Sequence, residues 1–187
     1  QSILAKNFAL IGLVYYAKAN FTQALKFCKQ ALLIQEIDSF TKTDVLNSLG
    51  AIYGTKGKLD KALNCFTEGF QIAEKNENKK IAISSLLGKV SMLRMKGKYK
   101  EAINCNKHAL LYSRELQYHY GIIGALFQLI QLNIDQELFD ETGQHLEKIK
   151  KITDEIDNKV FYQIYILSKA IVLKSKKRIR YRSEAEL

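Results

Sequence analysis

The sequence has 187 residues, 47% of them apolar and 26% charged, with a formal net charge of +10 and no proline. That apolar share excludes a disordered chain, and no apolar run approaches the roughly 18–20 residues of a membrane-spanning helix. Three cysteines, Cys28, Cys65 and Cys105, make no even set and no paired spacing, which suits free thiols in a reducing, cytoplasmic setting.

Taken in chain order, the predicted elements are helices in pairs. The absence of proline fits this, because proline breaks helix interiors. Phe8, Ile11, Gly12 and Tyr15 stand at i, i+3, i+4 and i+7, one stripe of a helix with 3.6 residues per turn. A second stripe follows from Phe21 through Ala24-Leu25, Cys28 and Ala31-Leu32, completing a hairpin over 3–37. The next hairpin, 41–76, carries Leu46, Leu49, Gly50 and Tyr53, then a turn at Lys56-Gly57-Lys58, then a helix opening at Leu59. The third, 79–117, has Val90 in the glycine's place and turns at Lys96-Gly97-Lys98 before Tyr99. Glycine supplies the left-handed backbone that ends such helices. The fourth, 119–157, opens its second helix at Phe139 and has Thr142 and Ile149 where the others hold small residues. A fifth first helix is predicted from Lys159 to about Ser175. The basic run Lys174 to Arg182 then reads as a turn, and Arg182 to Leu187 as the start of a partner helix. A chain that begins at Gln1 and stops inside a helical pattern reads as a piece of a longer protein.

These pairs are copies of one unit. Lys56-Gly57-Lys58, Ala62 and Asn64-Cys65 return forty residues on as Lys96-Gly97-Lys98, Ala102 and Asn104-Cys105, and the first copy precedes the second by 38. Gly12, Gly50, Ala24, Ala62 and Ala102 let two helices approach closely, and large neighbours fill the space beside them. One hairpin cannot bury its stripe alone, so the copies must stack.

The pattern resembles the tetratricopeptide repeat, in a variety whose period of 38–40 exceeds the usual figure of about 34. Phe8, Ile11-Gly12, Tyr15, Ala24, Cys28 and Ala31 take that family's places in the first copy, with cysteine for the aromatic. Leu46, Leu49-Gly50, Tyr53, Ala62, Phe66 and Gly69 take them in the second. The third keeps Ala102 and Ala109 but has Asn106 for the aromatic. The resemblance covers about residues 3–157. It implies an all-α, right-handed superhelical solenoid of antiparallel helix hairpins, about four and a half repeats long. It also implies that the first helices line a concave groove. Residues a quarter-turn from the buried stripe would face that groove: Tyr16, Asn47, Ser48, Ala51, Leu87, Ser91, Arg94, Phe127, Gln128, Gln131 and Asp135. Asn and Gln suit an extended peptide backbone, Arg94 a carboxylate, and Leu87 and Phe127 apolar seats. The lysine and asparagine with which one subfamily clamps chaperone tails are replaced by Ala9 and Leu13, so that clamp is not expected.

No constellation for catalysis, cofactor or metal stands out. His108, His119 and His145 fall in different helical segments, and none has a cysteine or acid at metal-ligand spacing. Cys65 and Cys105 occupy one repeat position and Cys28 the next, a regularity that marks packing. The expected function is a non-catalytic scaffold that binds a protein or peptide in its groove. The alternatives are the sensory, peptide-binding part of a signalling protein or transcription regulator, and, more weakly, nucleic-acid binding through the basic surface. The last helix, with Phe161, Ile164, Leu167 and Ile171, is expected to leave an apolar face on which two copies can pair.

Overall fold

The structure, a computed structural model, describes residues 2–185 of the chain and the side chains of residues 3–178. Its elements are all helices: α1 (Ser2–Ala17), α2 (Phe21–Leu32), α3 (Ser39–Thr55), α4 (Leu59–Lys75), α5 (Lys79–Met95), α6 (Tyr99–Glu115), α7 (His119–Asp135), α8 (Phe139–Ile156) and α9 (Lys159–Ala185). The chain divides into two compact units, Gln1–Tyr112 and Ser113–Leu187.

One local device makes most of the turns. After α1, α3, α4, α5, α6 and α7 the chain takes a left-handed residue, respectively Ala19, Gly57, Glu77, Gly97, Gln117 and Glu137. The next amide then donates back five residues, as Lys58 N does to Tyr53 O at 2.8 Å and Asn78 N to Ala73 O at 2.9 Å. This satisfies carbonyls that a helix end leaves bare. Glycine serves at two of these turns, where a side chain would meet open space but the φ angles of 69° and 71° would strain it. Glu77→Gly is therefore expected to raise stability by roughly 0.5–1 kcal/mol and Gly97→Ala to lower it by about as much, read from urea unfolding followed by circular dichroism. The longer α2–α3 link ends differently. Asp38 caps α3, accepting from Thr41 N at 2.9 Å and Thr41 Oγ1 at 2.8 Å.

In the first unit α1 packs on α2, α2 on α3, α3 on α4 and α4 on α5, while α1 meets α3 and α3 meets α5. First helices therefore lie side by side and carry the second helices on one flank. That explains their composition. The helix α3 buries Thr41, Thr43, Val45, Leu46, Leu49, Gly50, Ile52 and Gly54, most of its circumference. The helix α2 buries only Ala24, Cys28 and Ala31, one narrow stripe.

Packing across the hairpins is of small on large. A Cβ at Gly12 would stand 2.7 Å from Cys28 Sγ, and one at Gly50 2.8 Å from the Phe66 ring. The third copy departs from the pattern. Val90 fills the glycine's place and is fully buried, but Gly88, two residues earlier, lies so close to Phe66 that a Cβ would come within 2.2 Å of the ring. Phe66 is thus held between backbone of α3 and backbone of α5.

In the second unit α7 packs on α8, α8 on α9, and α7 on α9. Thr142, in an alanine's place, is fully buried and donates its hydroxyl to Leu138 O at 2.8 Å, which spares its burial penalty. Two expectations for α9 need correction. No turn interrupts the basic run. The helix continues to Ala185, because lysine and arginine are good helix formers and no glycine or proline stands between Lys159 and Ala185. Residues 186 and 187 of the expected partner helix lie outside the described residues. The apolar face is also turned. Phe161 is buried, and Ile164 packs beside it on Ile123, Leu126, Ile130 and Ile149. The apolar residues left exposed include Tyr162, Ile166, Leu167 and Leu173. A first helix spends its stripe on the preceding hairpin, so the remaining flank is the open one.

Candidate functional site

The predicted groove residues fall on first helices in both units. Tyr16, Asn47, Ser48, Ala51, Leu87, Ser91 and Arg94 belong to α1, α3 and α5, and Phe127, Gln128, Gln131 and Asp135 to α7. All are half-buried except Asp135, which is exposed in the last turn of α7. Repeat register accounts for their grouping. Asn47, Leu87 and Phe127 share one position in the copy, and Ala51, Ser91 and Gln131 another.

Their side chains are not equally available. The Ser48 hydroxyl donates to Asp44 O at 2.9 Å and the Ser91 hydroxyl to Leu87 O at 3.3 Å, both within their own helix. Tyr16 faces Phe21, with ring centroids 5.9 Å apart, and packs beside the Ala24 and Cys28 core. Asn47 is different. Its Oδ1 accepts from the Ser85 hydroxyl of α5 at 2.8 Å, which fixes the amide plane. Gly69 of α4 backs the pair, since a Cβ there would be 3.1 Å from Ser85 Oγ and 3.2 Å from Asn47 Oδ1. Among the described residues Asn47 Nδ2 then has no acceptor, and it is screened from solvent. An amide donor left in this state is costly until something accepts from it.

Sequence reasoning missed a cavity of about 220 Å³ between α1 and α3, lined by Lys6, Ala9, Leu10, Leu13, Phe40, Thr41, Asp44 and Ser48. Leu10, Leu13 and Phe40 stand 61%, 46% and 55% exposed, an unusual setting for three large apolar side chains close together. The signal was present: Ala9, Leu10 and Leu13 are the first-copy counterparts of Asn47, Ser48 and Ala51. A larger cleft of about 570 Å³ lies at the α8–α9 turn, lined by Thr153, Asp154, Asp157, Asn158, Lys159, Tyr162 and Gln163.

Burial disfavours the thiolate form of all three cysteines. Burial pushes Cys28 up to about 11 and also raises Cys65 and Cys105. Among the described residues no group of three or more histidine, cysteine or acidic side chains could hold a metal ion, and no helix is long and apolar enough to cross a membrane.

Comparison with known proteins agrees with this architecture. A family model for the MalT-like TPR region matches residues 7–175. No curated protein matches the sequence. Among solved structures, aspartyl phosphate phosphatase F from Bacillus subtilis is similar at a TM-score of 0.80 and 14% identity, over 96% of this chain and 48% of that one. The chain therefore spans about half of that protein's length. BtubC (BKLC) from P. vanneervenii is similar at a TM-score of 0.72 and 14% identity, over 98% of this chain and 82% of that one. A putative kinesin light chain of Podosopora anserina with nearly identical TPR-like repeats gives 0.70 and 14%, over 97% and 89%. At these identities the likeness concerns the fold alone.

Proposed function

From the premise that this chain belongs to the family of MalT-like TPR regions, we propose that the face made by the first helices of its first unit, α1, α3 and α5, is a non-catalytic docking surface for a peptide or helix of another protein. The observation that carries this reading is Asn47. Its carbonyl is committed to Ser85 and its screened Nδ2 has nothing to donate to. A backbone carbonyl of an extended ligand, seated as the half-buried side chains around Asn47 turn aside, is the group that such a donor suits. Around it the half-buried Leu87, Ala51 and Ser91 offer apolar and polar contact at helical spacing. Stacked hairpins supply a long surface and no reaction chemistry.

A second reading uses the same face as the peptide-sensing part of a longer signalling protein. Its support is the likeness to an aspartyl phosphate phosphatase, about half of whose length the chain spans. An effector would then lie elsewhere.

Asn47→Asp tests the proposal, because it keeps an oxygen for Ser85 and removes the amide donor. Peptides selected from a displayed random library on the wild-type chain are expected to bind the variant about tenfold more weakly, the scale of one hydrogen bond with its repulsive replacement. A carboxylate oxygen at this screened position costs stability, so thermal unfolding is followed as well and affinities are compared at a temperature where both chains are folded. Equal affinity for both chains would overturn the assignment.

A further inference from the structure

The cavity between α1 and α3 has a chemistry of its own. Its volume of about 220 Å³ exceeds the ~150 Å³ that suffices to hold a benzene ring, so it has room for one aliphatic side chain. Leu10, Leu13, Ala9 and Phe40 supply apolar walls. Two acids stand near, and they are in different states. Asp38 is fully engaged: it caps α3 through Thr41 and pairs with Lys6 at 3.5 Å. Asp44 lines the cavity, and among the described residues its carboxylate has neither a hydrogen bond nor an ion pair. Burial, and next the charge of Asp38, raise its pKa. A cation placed beside the carboxylate opposes both, because it favours the ionised form.

Resting on the docking reading above, we propose that this cavity is a specificity subsite that takes an aliphatic side chain of the ligand together with a neighbouring lysine or arginine, the cation pairing with Asp44. The net charge of the chain, +10, taken alone would select acidic ligands. Locally the sign is reversed, because Lys6 is already paired and Asp44 is not. An exposed apolar wall beside an uncompensated carboxylate is complementary to a basic amphipathic segment. The corresponding positions of the next copy, Asp44, Asn47, Ser48 and Ala51 in place of Lys6, Ala9, Leu10 and Leu13, offer no comparable apolar wall. The subsite would therefore set which end of a ligand lies on the first repeat.

Selection from a displayed random peptide library tests this on the intact chain. Wild type is expected to enrich peptides with lysine or arginine beside leucine, isoleucine or methionine. Synthetic copies should bind Asp44→Asn about tenfold more weakly, and Asp44→Lys more weakly still. Circular dichroism of each variant checks that the helices persist. Leu13→Glu should abolish the aliphatic preference. If selected peptides depend on Asn47 but carry no cation and ignore Asp44→Lys, this inference is wrong and the docking surface stands. If no peptide is selected, both fall. If sedimentation instead shows self-association that Asp44→Lys abolishes, the occupant is a second copy and the proposal is overturned.

Discussion

Phe66→Ala is expected to destabilise the first unit by about 3–5 kcal/mol, the cost of deleting a buried aromatic ring. That is a large fraction of the roughly 5–15 kcal/mol that holds a typical domain. The ring is 5% exposed and lies between Gly50 and Gly88, so its loss opens a gap that two helix backbones border. Helices of a stacked array depend on their neighbours. The loss should therefore be read by hydrogen exchange as reduced protection of α3, α4 and α5 together. A paired substitution tests the cause. Gly88→Ala alone sets a methyl within 2.2 Å of the ring, an overpacking cost of about 1–3 kcal/mol set against about 1 kcal/mol gained in helix propensity. With the ring gone, the same methyl enters vacant space. The double variant should be more stable than the sum of the single effects by about 1 kcal/mol or more. Strict additivity would mean that Phe66 and Gly88 do not press on one another.

The second large effect is expected in the other unit. Phe161 is 2% exposed, packs on Ile123, Leu126, Ile130 and Ile149, and meets Tyr120 nearly edge-on at 4.6 Å and 68°. Phe161→Ala removes the burial and the ring pair, about 3–5 kcal/mol together. Since this contact fastens the start of α9 to α7, amide protection should fall along α9 while α3 and α4 keep theirs. Leu167→Ala, one of the exposed positions of α9, is the control and should change stability by less than about 0.5 kcal/mol. A comparable loss at Leu167 would mean that the exposed flank of α9 is covered in solution.

Asn47 and Asp44 show how far a candidate site was legible. Repeat register alone marks Asn47, Leu87 and Phe127 as one position of the copy, and Asn47 is the one on which the docking proposal rests. It does not reveal that Ser85 occupies one side of the Asn47 amide, because that contact joins residues 38 apart in sequence. Nor does it reveal that Leu10, Leu13, Phe40 and Asp44 converge, since each reads by itself as an ordinary helix residue.

The sequence by itself determined the repeat, the helix pairs, the glycine turns at Gly57 and Gly97, and the alternation of small and large residues. Each of these follows from interactions within a turn or two of chain, where the 3.6-residue period and the left-handed tolerance of glycine act directly. Tertiary structure alone decided three things: that Gly88 and not position 90 receives Phe66, that α9 turns Phe161 inward, and that a charged apolar cavity forms at the α1–α3 seam. A first helix is buried on more than one flank, so its periodicity does not state which flank meets which neighbour. Only stacking of the next hairpin settles that choice.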